Sequence, residues 1–163
     1  MVIDSRSCRS APSCFARGID GGKKIRGVKI QMAVEKYGIP LAIDVAPANR
    51  HDTKAIMPVL RALADGGFQG PALGDLGYRG KRLAEAGQDS ASPSRPLRGR
   101  YGQFIPAGIC WVVERSFAWL SRYRRLNTIF ERSKEHLIAF VAIAFISILS
   151  RRLKRLVVEE LSA

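Results

Sequence analysis

The stretch Trp111-Val112-Val113-Glu114-Arg115-Ser116-Phe117-Ala118-Trp119-Leu120 decides how the rest of the chain is read. At about 100° per residue on a helix, Val113, Phe117 and Leu120 share one face, with Val112, Trp119 and Tyr123 at its edge. Trp111, Glu114, Ala118, Ser121 and Arg125 fall on the opposite side. The pattern predicts an amphipathic helix with one acid beside an arginine. On helix geometry alone, that outer side is a solvated charge face.

Two other stretches change the reading. Val2-Ile3-Asp4-Ser5 and Ala72-Leu73-Gly74-Asp75-Leu76-Gly77-Tyr78 each place an acid at the end of a short apolar run. Taken alone, Asp4 is equally a strand-end carboxylate that caps a turn. Acids at the ends of two strands and a third on a helix can instead converge on a metal. Cutting a phosphodiester needs an activated water or hydroxyl, a stabilised leaving oxygen and neutralised charge on phosphorus. Two divalent ions about 3.5–4 Å apart supply all three. Mg²⁺ takes hard oxygen ligands and keeps several waters, so two or three carboxylates suffice to hold it.

This order of Asp, Asp and Glu resembles the DDE transposases of bacterial insertion sequences, in particular the insertion sequence five family, along the whole chain. Val2-Ile3-Asp4-Ser5 is similar to the context of the family's first catalytic Asp. Asp75, Gly77 and Tyr78 are similar to the Asp-x-Gly-Tyr of the second. Trp111 through Arg115 match the Trp-Val-Val-Glu-Arg of the third, reinforced by Phe117, Trp119, Leu120, Arg124-Arg125-Leu126 and Glu131. The Asn49-Arg50-His51-Asp52 segment also belongs to the family pattern. The chain departs from it at Leu76, where Arg is common, and at Gln31, where many relatives have His.

The resemblance implies an RNase H-like α/β fold, a mixed sheet flanked by helices, with the N-terminal strand truncated by the start at Met1. It implies Asp4, Asp75 and Glu114 as a metal-binding catalytic triad for Mg²⁺, with Mn²⁺ as a substitute. The activity implied is cleavage at transposon ends and strand transfer into target DNA. Residues 1–163 then form a single catalytic domain lacking the family's usual N-terminal DNA-binding region. The expected partner is double-stranded DNA, both inverted repeats and target, joined by an upstream-frame product and self-association. The alternative is an inactive or partial remnant that binds DNA non-specifically. The expected location is the bacterial cytoplasm, at the nucleoid.

Composition agrees with a nucleic-acid partner. Its 163 residues suffice for one domain with a real core, since a chain near 150 residues buries roughly 68–70% of its unfolded surface. The hydrophobic fraction of 47% is ordinary, but 27 Lys and Arg against 14 Asp and Glu leave a net charge of +13. Such a surplus points to a polyanion. A structural RNA-binding protein fits the charge but not the three acids. Lys23, Lys24, Arg26 and Lys29 cluster before a predicted hairpin, and Arg122, Arg124 and Arg125 follow the Glu114-Arg115 pair. Solvated charge is the usual fate of such runs. Flanking the acids, all eight basic residues are expected to contact phosphates and position the DNA ends. Trp111, Trp119 and Tyr123 could stack on bases, although helical spacing makes Trp119 and Tyr123 core residues first.

Cys8, Cys14 and Cys110 show no CxxC spacing and have no histidine close in sequence, which argues against a zinc site or a disulfide framework. The start has no apolar signal core. The run Leu137 to Leu149 is shorter than the roughly 20 apolar residues of a spanning helix, so a buried core helix and no membrane partner are expected.

In chain order, Met1 to Asp4 reads as the tail of a strand and Ser5 to Gly22 as a loop. Val28, Ile30, Met32 and Val34, then Leu41, Ile43 and Val45, alternate as a hairpin with one buried face. Asn49 to Thr53 caps a helix from about Lys54 to Ala64, stopped by Gly66-Gly67. Capping is also the simpler reading of His51-Asp52, against a metal or general-base role. Asp20, Asp44 and Asp65 are rival acids, read as turn or surface residues. A strand ending at Asp75, a short helix from Lys81 to Ala86, a loop from Gln88 to Gly108 with a strand near Gln103 to Ile105, and two final helices complete the order.

Overall fold

The computed structural model describes residues 1–74, 94–96 and 109–161. Asp75, the helix expected at Lys81–Ala86 and the strand expected near Gln103–Ile105 lie outside them. Among the described residues are strands β1 (Val2–Ser10), β2 (Gly18–Asp20), β3 (Ile25–Val34), β4 (Pro40–Pro47), β5 (Ala72–Gly74), β6 (Ser94–Pro96) and β7 (Thr128–Ile129). Four helices accompany them: α1 (Asp52–Ala55), α2 (Met57–Asp65), α3 (Trp111–Ser121) and α4 (Lys134–Leu161).

β1 is the axis of the sheet. It pairs antiparallel with β3 from Val2↔Val34 to Arg9↔Gly27, and parallel with β5 and β7 on its other edge. β3 carries β4 and β2 antiparallel, and β5 carries β6 parallel. The result is a mixed sheet flanked by helices, compatible with an RNase H-like α/β fold. The strand expected to be truncated is nine residues long. It runs on through Ser5-Arg6-Ser7-Cys8-Arg9-Ser10, where the polar composition had read as a loop. Pairing on both edges overrides that weak local preference. β1 is therefore an interior strand, and Asp4 lies within it rather than at its end.

The hairpin β3–β4 also differs from expectation. β3 is buried on both faces from Gly27 to Val34, because helices cover the sheet on both sides. Val2, Cys8, Val28, Ile30, Met32 and Val34 face α3 and α4 and meet Val113, Phe117, Leu120, Leu137, Val141 and Phe145 in the larger core. Ile3 and Ala33 face the other way, onto Ile56, Val59, Leu60 and Leu63. The single helix expected over Lys54–Ala64 is two, with Ile56 between them and Pro58 in the first turn of the second. His51 is the N-cap of the first, its ring Nδ1 accepting from the Thr53 N–H.

α4 is longer than its apolar run, at 28 residues, and is less buried than expected of a core helix. Leu137, Val141, Ala144 and Phe145 form the stripe against the sheet, while Ile143, Ile146 and Leu153 are more than half exposed. By length and composition it could cross a membrane. Its inner stripe nonetheless packs as a core helix packs.

Candidate active site

Alternation along β1 puts Asp4 and Arg6 on the face shared with Val2 and Cys8, the face covered by α3. Asp4 is half-buried there. α3 is fastened across this face by three bonds. Arg6 Nη1 donates to the Phe117 carbonyl at 3.0 Å, Ser116 Oγ to the Gly38 carbonyl at 2.8 Å, and Arg115 Nη2 to the Tyr37 carbonyl at 2.9 Å. Gly38 has a positive φ of 87°, and a Cβ on it would lie 2.7 Å from Ser116 Oγ, so the β3–β4 turn needs glycine at this contact.

The last two of these clamps hold the middle of α3 against the β3–β4 turn, which lies beyond the Val2 end of β1. Val112, Val113, Ser116, Phe117 and Leu120 are buried, while Trp111, Glu114 and Ala118 are exposed, the face assignment expected from the sequence. Glu114 makes no ion pair among the described residues. Its solvent-facing carboxylate keeps its oxygens available as hard ligands.

Asp75 lies outside the described residues. Its predecessor Gly74 pairs with Ile3, the predecessor of Asp4, in the parallel β1–β5 ladder. Among the described residues no three His, Cys, Asp or Glu side chains gather as a metal-binding group.

The basic residues divide into three sets. Lys23, Lys24 and Arg26 are exposed, but Arg26 is six residues along β3 from Met32, the partner of Asp4, about 20 Å at strand rise. They do not flank Asp4, contrary to expectation. Lys29 is the clearest correction. Its ammonium is buried, 2.9 Å from Asp52 Oδ1 and 3.9 Å from Asp20 Oδ2, and so cannot serve as a phosphate contact. Ser5 donates to the same Asp52 oxygen and Ser7 to Asp20. The Lys23 N–H and then Ser7, with Lys29 and the Gly22 N–H adding less, outweigh burial and hold the Asp20 carboxyl below its ordinary range.

Around α3, Arg115 is stacked on Trp111 and Trp119, its guanidinium 4.3 and 5.0 Å from the ring centroids. Arg125 binds the buried Glu131 at 2.9 Å and covers Phe140. Both therefore have structural work. Arg122 and Arg124 are exposed. Sequence reasoning missed Arg6 and Ser116, the polar residues that dock α3. Arg6 gave one signal, standing two residues from Asp4 on the same strand face.

The family described as the transposase DDE domain matches residues 1–102, more than half of the chain. The chain belongs to the DDE transposase family. That match includes Asp4 and Asp75 and ends before Glu114. A Burkholderia cepacia protein assigned as the transposase for insertion sequence element IS402 is 31% identical over 149 residues, covering 80% of this chain. The chain spans 65% of that relative's length.

Proposed function

We propose that this chain is the catalytic part of a transposase of the insertion sequence five family, cutting DNA at transposon ends and joining the freed 3′ hydroxyl to target DNA. In this reading Asp4, Asp75 and Glu114 hold Mg²⁺, or Mn²⁺ in its place. The observation that carries it is a convergence on one end of β1. β5 ends one residue before Asp75 and pairs with β1 one residue before Asp4, while Arg115 and Ser116, the two residues after Glu114, are bound to the turn beyond the same end. The donor set fits a hard cation, since carboxylates with open positions leave room for the waters that Mg²⁺ retains. When bound, the ions supply charge neutralisation at phosphorus and activation of the attacking oxygen.

The protein's own part is orientation. β1 and its two-sided ladder fix Asp4, and Arg6 and Ser116 fix the helix that carries Glu114. Lys23, Lys24, Arg26, Arg122 and Arg124 remain as exposed cations for duplex phosphates, with the exposed part of Arg125 and, beside Glu114, Arg115.

The test is cleavage of a DNA carrying the element's ends, in Mg²⁺ and in Mn²⁺, by the wild-type chain and by Asp75→Asn, Asp4→Asn and Glu114→Gln. Each variant should bind duplex DNA as the wild type does and yield no cut product, because an amide is a poor ligand for Mg²⁺. Mn²⁺ binding followed by electron paramagnetic resonance should weaken in the same three variants. Cleavage by Asp75→Asn at the wild-type rate would sink the assignment.

A further inference from the structure

A second site lies between the end of α3 and the C-terminal half of α4. Trp119, Arg122 and Tyr123 form one wall of a cleft of about 470 Å³, and Ile148, Arg151, Arg152 and Arg155 form the other. Its size is within the range of small-ligand sites. Among the described residues four guanidiniums line it and no carboxylate does. Like charges gathered without a counter-charge repel one another, so a site of this kind is completed by an anion.

The arginines are held rather than scattered. Arg151 donates to Ser147 Oγ at 2.8 Å and to Tyr123 Oη at 3.3 Å. The Arg152 guanidinium lies over the Trp119 ring, 4.9 Å from its centroid, and its Nη1 is buried without a hydrogen-bond partner among the described residues. A buried charged donor without an acceptor is costly, and a phosphate oxygen would satisfy it. The stacked Arg152–Trp119 pair and Tyr123 also offer flat surfaces against which a base can lie.

We propose that this cleft binds one unpaired nucleotide of a DNA strand, its phosphates on Arg122, Arg151, Arg155 and the Nη1 edge of Arg152, and its base against the face of Arg152 and Tyr123. Arg152 is the stacking plate and Trp119 the residue that positions it. The inference rests on the transposase reading for the identity of the strand. Arg122 is eight residues from Glu114, about 12 Å along the chain's helical rise. The cleft would therefore grip the strand a short way from the cut.

The test is fluorescence anisotropy with EDTA present, so that metal binding plays no part. The probes are a single-stranded oligonucleotide, the same oligonucleotide with abasic positions, and a duplex. For the Arg151→Ala/Arg155→Ala chain, single-strand affinity should fall about tenfold, and the slope of log K against log salt should shrink by about 1.4 for two lost phosphate contacts. Duplex affinity should change less than twofold. Abasic substitution should cost the wild-type chain several-fold and the Arg152→Ala chain nothing.

Equal losses for single strand and duplex would mean a general phosphate patch and overturn the proposal. So would a wild-type chain indifferent to abasic substitution, a result that needs no variant to fold. Asp75→Asn should bind the single strand as the wild type does. Cleavage by that variant would remove the proposed active site while leaving the cleft standing, so the two failures are separable.

Discussion

The two faces of β1 are covered differently. On the face toward α1 and α2, Ser5, Ser7 and Lys29 meet Asp20 and Asp52 in a closed network, where each carboxylate already has a cation and a hydroxyl. On the face toward α3 and α4 a large apolar core surrounds Asp4 and Arg6, and the acid of the covering helix, Glu114, is turned to solvent without an ion pair among the described residues. Asp20 and Asp52 look as much like site residues in the sequence as Asp4 does. Asp20 and Asp52 have spent their oxygens on Lys29 and the two serines, whereas Glu114 has spent none of its own on an ion pair among the described residues.

The largest effect that would test this contrast is in the α3/α4 core. Phe145 is 2% exposed, and Phe145→Ala should cost about 3–5 kcal/mol in urea unfolding. Its neighbour Ile146 is 62% exposed, and Ile146→Ala should stay within about 0.5 kcal/mol. Similar losses at the two positions would mean that the outer stripe of α4 is covered by something.

A smaller loss is expected on the opposite face. Lys29→Met keeps the buried stem but leaves two carboxylates without their cation. Removing one partner of a buried pair costs about 3–5 kcal/mol, and because Asp52 is a third exposed the loss should reach about 3 kcal/mol at most. Duplex DNA affinity should follow the folded fraction and nothing more. A loss of DNA binding by fully folded Lys29→Met would restore this lysine as a phosphate contact.

The smallest effect concerns acid. The folded-state pKa of Asp20 is depressed, chiefly by the Lys23 N–H and the Ser7 hydroxyl. Its contribution is therefore fully present above the ordinary aspartate value and is lost as pH falls through the lower folded value. The wild-type chain should lose more stability than Asp20→Asn on titration from pH 5 downward. Parallel curves would show that Asp20 is not held as described.

The sequence by itself determined the helix of Glu114, its buried and exposed residues, the β3–β4 hairpin, the stop at Gly66 and the family. Each of these is set by local periodicity, by turn and cap chemistry or by a motif of neighbouring residues, which short-range physics fixes without reference to the rest of the chain. The tertiary structure alone decided the length of β1, the burial of both faces of β3 and the fate of Lys29. Ser5 to Ser10 has no apolar alternation of its own, and becomes strand because β3 on one side and β5 and β7 on the other supply its hydrogen-bond partners. Lys29 looked like its neighbours Lys23, Lys24 and Arg26 because a charge run carries no information about what faces each member. That depends on Asp20 and Asp52, brought to the lysine by a strand turn and a helix start that only the folded chain places side by side.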